Sequence, residues 1–289
     1  MKVAVIYGGL SAERNVSINT GEAVLKACFE NNYNASAIMI NDKNDIVFED
    51  LRQYDIVFNA LHGTFGEDGS IQRLLEDNDI IFTGSGSGSS KTCMDKIKCK
   101  NILKNNNFHT PDWFDLNNYN EIPRSFLPCI VKPNAQGSTF GLSLVEKITD
   151  LDKAVSNSLK FDKDVLLEKY IPGREITVGI LDSKTLPIVE ILPSHKLYDY
   201  KCKYTPGMTK YICPADLTED VKNKIMHESL KIFELLDCKG YGRVDYILDD
   251  NNNNYFLEIN TLPGMTSTSL LPISAKTANI SFNKLVKTI

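Results

Sequence analysis

Three apolar runs in the first 85 residues each close on glycine: KVAVIYGG at 2–9, YDIVFNALHG at 54–63 and DIIFTG at 79–84. Between the first two, Val16, Ala23, Val24, Ala27 and Cys28 fall on one helical face, and Ile71, Leu74 and Leu75 do the same between the second and third. Strand, glycine turn and helix in alternation predict a parallel α/β unit. Ligands on such sheets bind beyond the carboxyl ends of the strands, where Gly8, Gly9, His62 and Gly63 all fall.

The pattern changes at GSGSGSS (84–90), which reads as a boundary and as the entry to a helix around Met94–Asn106. Beyond it the chain is strand-rich: CIVKP (129–133), GLSLV (141–145), VLLEKYI (165–171), EITVGIL (175–181) and PIVEIL (187–192), with one helical segment near 150–160. This second part reads as α+β. Val221, Ile225, Ile232, Phe233 and Leu236 keep helical spacing, and a hairpin follows in which DDNNNN turns YGRVDYIL back into YFLEIN. A length of 289 residues, at about 150 per domain, suits roughly two such units.

Charge and composition exclude some partners. With 32 basic and 37 acidic side chains the net charge is −5, so there is no basic footprint for nucleic acid. The apolar N-terminal run is too short for a secretory signal and no segment is long and apolar enough for a membrane span, which predicts a cytoplasmic protein with no membrane partner. Seven scattered cysteines without a CxxC read as reduced, packed thiols, with Cys202 alone in a stretch polar enough to be exposed.

The hairpin carries the most informative chemistry. Strand alternation puts Arg243, Asp245 and Ile247 on one face of its first strand and Glu258 and Asn260 on one face of its second. Two carboxylates and an amide oxygen suit a hard cation such as Mg²⁺, and Arg243 would balance a bound anion; a solvated salt bridge is the alternative. Lys132 ends a strand in VKP, and QGSTFG (136–141) follows as a small loop whose amides and hydroxyls can wrap phosphate oxygens, or which is simply a glycine-rich turn. It is not a Walker loop. His62 lies in the strand-end loop LHGTFGEDGSIQ, where a structural and a functional role are both open. Glu13 in GGLSAERNVS can serve as a helix cap, and Lys96 and Lys98 are by default solvated helix lysines.

Taken in order, GGLSAERNVS, LHGTFGEDGSIQ, MDK, VKP with QGSTFG, EKYIPGRE, YDYKCKY, GRVD and EINTLPGMTSTSLLP resemble the D-alanine:D-alanine ligase family of the ATP-grasp superfamily, from about Lys2 to Leu271. The resemblance implies α/β and α+β parts in an ATP-grasp architecture. Residues 1–88 would be a Rossmann-like domain, 89–172 a central ATP-grasp subdomain, and 173–289 a C-terminal one bearing an omega loop at about 193–212.

Carried over residue by residue, Lys96, Lys132, Ser138 and Thr139 match phosphate contacts, and Glu168 and Glu175 adenine-side and ribose contacts. Asp245, Glu258 and Asn260 match the ligands of two Mg²⁺ ions, with Mn²⁺ a possible substitute. Glu13, His62, Arg243, Gly264, Ser269 and Leu270 match substrate and oxyanion positions. Lys203 and Tyr204 fall in the omega loop, with Tyr204, Glu13 and Ser138 as a hydrogen-bonded set closing the site.

The activity implied is ATP-dependent joining of two D-alanines through an acyl phosphate, for peptidoglycan precursors, by a homodimer. Tyr204 goes with D-alanine as acceptor. A D-serine or D-lactate ligase, or a nucleotide-binding relative without turnover, are the alternatives. Two departures stand out: the loop has Gln136 and Phe140 where many relatives have an acidic residue and Ser-Val in its middle, and the spacer 146–165 is short.

Overall fold

The computed structural model describes residues 1–42, 45–116, 123–195, 198, 202, 205 and 207–289. Lys203 and Tyr204 lie outside the described residues, as does part of the segment around them.

The first unit is a parallel sheet. Its strands β1 (Lys2–Gly8), β2 (Asn34–Ile40) and β3 (Ile56–Asn59) lie in the order β2-β1-β3. Val3, Ala4, Val5 and Ile6 are all buried, as a central parallel strand covered on both faces requires. Helix α1 (Arg14–Glu30) crosses from β1 to β2 and packs so closely that a Cβ on Gly21 would sit 2.5 Å from the Tyr7 ring. The short helix α2 (Phe48–Leu51) precedes β3 and α3 (Ser70–Asp77) follows it.

Two expectations change here. Strand β2 was not anticipated, because NASAIMI sits at the sheet edge and alternates burial instead of reading as an apolar run. Conversely, 79–84 is not a full strand. Asp79 turns the chain through a positive φ of 55°, and the segment meets the sheet in one parallel bridge, Val57 to Phe82, leaving Ile81 exposed. Leu74 also faces outward, while Ile71 and Leu75 are fully buried.

Helices α4 (Ser87–Met94) and α5 (Lys96–Asn105) follow, the latter capped by the Asp95 side chain accepting from the Lys98 amide. The second sheet is antiparallel and runs β4-β7-β5-β6, from β4 (Trp113–Asp115), β5 (Cys129–Pro133), β6 (Ser143–Val145) and β7 (Val165–Lys169). Helix α6 (Leu151–Ser158) buries Ala154 against its Cys129, Val131 and Leu167.

The third sheet has the order β11-β10-β8-β12-β13, with β9 (Lys184–Thr185) on β8 (Arg174–Leu181). It is completed by β10 (Val189–Pro193), β11 (Thr209–Ile212), β12 (Tyr241–Leu248) and β13 (Asn254–Asn260). Helix α7 (Glu219–Leu235) lays Ile225, Ile232 and Phe233 on Val178, Val244 and Tyr246. The last helices, α8 (Leu270–Thr277) and α9 (Phe282–Thr288), return to the first unit. Leu271, Ala275, Leu285 and Val286 share one core with Val24, Ala27, Leu181 and Tyr241, so the first and third sheets are braced against each other.

Candidate active site

A cavity of about 690 Å³ opens where the three sheets meet. Glu13 and His62 reach it from strand ends of the first sheet, Lys132 and Glu168 from the second, and Glu175, Arg243, Asp245, Glu258 and Asn260 from the third. Lys96 opens α5 above it, Ser138 and Thr139 come from the loop after β5, and Gly264, Ser269 and Leu270 from the segment leading into α8. Every described residue that the family resemblance nominates therefore lines one space, whereas Gly8, Gly9 and Gly63 do not. Cys202 also faces it and is buried, 1% exposed, which corrects the expectation of an exposed thiol: its polar neighbours in sequence do not set its environment.

Glu13 stands at the N-terminus of α1 but does not cap it with its side chain. Its carboxylate instead accepts a hydrogen bond from Ser138 Oγ, across 125 residues of chain. The loop that delivers Ser138 is tightly bent, with Ser138 and Thr139 both at positive φ (49° and 58°), a conformation that surrounding contacts must hold. Gly137 is required there, since a Cβ would lie 2.8 Å from Glu13 Oε2. The departures Gln136 and Phe140 anchor this loop: Gln136 Nε2 donates to the Phe161 carbonyl at 3.1 Å, and the Phe140 and Phe161 rings stack 5.8 Å apart.

His62 is 4% exposed and held at both nitrogens, Nδ1 at 2.8 Å from Glu67 Oε1 and Nε2 at 3.1 Å from Thr20 Oγ1. A buried imidazole fixed in this way keeps one ring orientation toward the cavity.

Lys96, the first residue of α5, is buried, not solvated as a helix-surface lysine would be. Its Nζ lies 3.1 Å from Glu258 Oε2 and donates to the Gln136 carbonyl at 2.8 Å, whereas Lys98 is exposed as expected. Lys132 Nζ donates to Glu168 Oε1 at 3.0 Å, and behind them Lys100 Nζ sits 2.6 Å from Glu168 Oε2. Burial alone would raise the Glu168 pKa, but Lys100 and Lys132 together outweigh it and hold the carboxyl below its ordinary value.

The hairpin has the predicted facing. Arg243 pairs in register with Asn260 and Asp245 with Glu258, just before a bulge between Asp245 and Tyr246. Arg243 grips Asp245 with two hydrogen bonds of 2.9 Å, Nε to Oδ1 and Nη2 to Oδ2. Thr177 Oγ1 also donates to Asp245, and Asn260 Nδ2 donates to its Oδ2 at 3.0 Å. Burial opposes the Arg243 charge, yet the adjacent Asp245 carboxylate outweighs it and holds the guanidinium above its ordinary pKa. Because Asn260 turns its amide nitrogen to Asp245, its amide oxygen is left for a cation. Together with the Asp245 and Glu258 carboxylates this is an all-oxygen donor set that fits Mg²⁺.

The family description "D-ala D-ala ligase C-terminus" matches residues 101–289, and "D-ala D-ala ligase N-terminus" matches 43–85. The chain belongs to the D-alanine–D-alanine ligase family. It is 43% identical over 287 residues to a D-alanine–D-alanine ligase of Methylacidiphilum infernorum, covering 99% of this chain and 93% of that one. With the Thermotoga petrophila ligase it shares 40% identity, covering 100% and 96%. The fold superposes with a TM-score of 0.87 on the Bacillus anthracis ligase complexed with ATP, at 36% identity and 100% and 96% coverage. The Coxiella burnetii ligase, at 24% identity, shares the same fold with a TM-score of 0.85 over 100% and 92%. The architecture is thus the ATP-grasp arrangement of mixed helices and sheets.

Within this ligase-family site, Glu67, Lys100 and Thr177 escaped sequence reasoning. Glu67 falls in LHGTFGEDGSIQ, the loop that carries His62, so its position five residues after that histidine is a signal in the sequence. Lys100 and Thr177 carried none, since each is defined by a partner distant in sequence: Glu168 for the lysine and Asp245 for the threonine.

Proposed function

We propose that the chain joins two D-alanine molecules to D-alanyl-D-alanine, consuming ATP and releasing ADP and phosphate, with D-alanyl phosphate as intermediate. The observation that carries this reading is the convergence of Lys96, Lys132 and Arg243 with the oxygen donors Asp245, Glu258 and Asn260 and the Glu13–Ser138 pair around one cavity. A carboxylate and a triphosphate repel each other, so catalysis here is mainly charge neutralisation and positioning.

In this reading the triphosphate lies against Lys96, Lys132, Ser138 and Thr139, and the adenosine extends toward Glu168 and Glu175. Asp245, Glu258 and Asn260 would hold Mg²⁺, two ions by the family resemblance or Mn²⁺ in its place, which when bound neutralises phosphate charge. Glu13 and His62 hold the donor D-alanine so that its carboxylate oxygen meets the γ-phosphorus. The P–O bond to ADP breaks as the new P–O bond forms. The amine of the second D-alanine then attacks the acyl carbon, and phosphate departs as the peptide bond closes. Arg243, with Gly264, Ser269 and Leu270 framing the acyl group, faces the oxyanion that develops, a role whose loss typically costs about 3 kcal/mol. The 193–212 segment, with Lys203 and Tyr204, closes the site against water, which would otherwise hydrolyse the acyl phosphate.

The same reading assigns 1–88 to substrate binding and 89–172 and 173–289 to the two halves of the ATP grip. It also gives a homodimer working in the cytoplasm on peptidoglycan precursors, with neither nucleic acid nor membrane as partner. Among the described residues no helix is long and apolar enough to cross a membrane. Mass analysis of products from D-alanine, alone and with equal D-serine or D-lactate, tests the assignment. D-alanyl-D-alanine as the dominant product supports it, and a dominant mixed product overturns the acceptor choice.

A further inference from the structure

Lys100 stands behind the cavity wall and takes no part in the mechanism above. It is completely buried, with 0% exposure, and projects from α5 one turn after Lys96, on the same helical face. The two lysines reach opposite walls. Lys96 binds Glu258 on β13 of the third sheet, and Lys100 binds Glu168 on β7 of the second. Lys100 Nζ also donates to Thr110 Oγ1, whose hydroxyl donates in turn to the Phe256 carbonyl on β13 at 3.0 Å.

We infer that Lys100 is a positioning residue for nucleotide binding, fixing the spacing of the two sheets that wall the cavity and setting how far Glu168 draws Lys132 away from a bound phosphate. The inference rests on the reading that this cavity takes ATP.

Two consequences follow from the geometry. Glu168 is shared between two ammonium groups, so Lys132 faces only part of the carboxylate charge and remains able to turn toward a phosphate oxygen. Without Lys100 the whole charge falls on Lys132, and the chain from α5 through Thr110 to β13 loses its link to β7. Burying a lysine is costly unless it is paired, and an apolar side chain of similar volume would serve packing alone as well or better. The Trp113 ring, 5.5 Å from Lys100 Nζ, completes an environment shaped to keep the cation in place.

The test measures binding of a non-hydrolysable ATP analogue with Mg²⁺, alongside KM for ATP, KM for D-alanine and kcat, in the full chain and in Lys100→Met, Glu168→Gln, the double variant and Thr110→Val. Lys100→Met should weaken nucleotide binding and raise KM for ATP about tenfold, with KM for D-alanine within about twofold. The double variant should be no worse than the worse single one, because both act through one carboxylate. Thr110→Val, which keeps both charges, should raise KM for ATP about threefold and answers the question if Lys100→Met does not fold. Unchanged nucleotide binding in a folded Lys100→Met or Thr110→Val, or additive effects in the double variant, would overturn the inference. Failure of the unaltered chain to bind nucleotide would instead overturn the reading of the cavity itself.

Discussion

Ser138 donates its hydroxyl hydrogen to the Glu13 carboxylate, tying the loop after β5 to the first turn of α1. The bond joins a loop of the second sheet to the first unit at the cavity, where in the proposed reaction the donor amino acid and the γ-phosphate would come together. A hydrogen bond to a charged acceptor contributes about 1.5–3 kcal/mol. Ser138→Ala should therefore lower the melting temperature and, by about 10- to 100-fold, kcat/KM for D-alanine. Gly137→Ala should do the same without removing a polar atom, because the new Cβ would press on Glu13 Oε2. Steady-state kinetics and a melting curve check both; full activity in Gly137→Ala would mean the loop does not set Glu13.

Arg243 and Asp245 form one unit, held by two hydrogen bonds of 2.9 Å. Arg243→Ala should cost about 3 kcal/mol in the barrier, roughly 100-fold in kcat. Chelation of divalent metal should abolish turnover, with recovery on adding Mg²⁺ or Mn²⁺, while far-ultraviolet circular dichroism stays unchanged. Persistent turnover in excess chelator would remove Asp245, Glu258 and Asn260 from the metal role.

Much of this site was legible in sequence because period-two alternation in a hairpin places side chains on a face whatever surrounds it. That is why Arg243, Asp245, Glu258 and Asn260 were nominated together. Lys132 and the QGSTFG loop were readable for a similar reason, a strand end followed by residues that accept tight turns. Strand β2 is not legible, since an edge strand needs no apolar run, and 79–84 resembles a strand in sequence because an apolar run also suits a coil packed on a sheet edge. Lys96 and Lys100 belong to a different class: an isolated helix lysine is solvated, and these are buried only because Glu258 and Glu168 arrive from remote strands.

The buried pair Lys100–Glu168 makes stability depend on pH. Desolvation lowers the Lys100 pKa from 10.5 to about 8, so between those values the unfolded chain binds more protons than the folded one. The Lys100 contribution to stability therefore improves as pH rises from about 8 to 10.5. Glu168, held below its ordinary value, contributes fully above 4.5 and loses that contribution as pH falls through its folded-state value. Urea titrations across this range should show the stability of the unaltered chain gaining on that of Lys100→Met above pH 8. Parallel curves would contradict the assignment.

Acceptor choice is assigned to Tyr204 by the family resemblance. Tyr204→Phe should shift product from dipeptide toward the D-alanyl-D-lactate ester when both acceptors are supplied, read as a product ratio by mass spectrometry. An unchanged ratio would place specificity elsewhere in the cavity.

In the proposed reaction a carboxylate oxygen of the donor D-alanine attacks the γ-phosphorus and leaves with phosphate. D-alanine labelled with oxygen-18 in its carboxyl group, supplied with Mg²⁺ and ATP, puts this to a direct test. One labelled oxygen should appear in each phosphate released for each dipeptide formed, with no phosphate above background from L-alanine. Dipeptide accompanied by unlabelled phosphate would contradict the acyl-phosphate route and the role given to Lys96, Lys132 and Arg243.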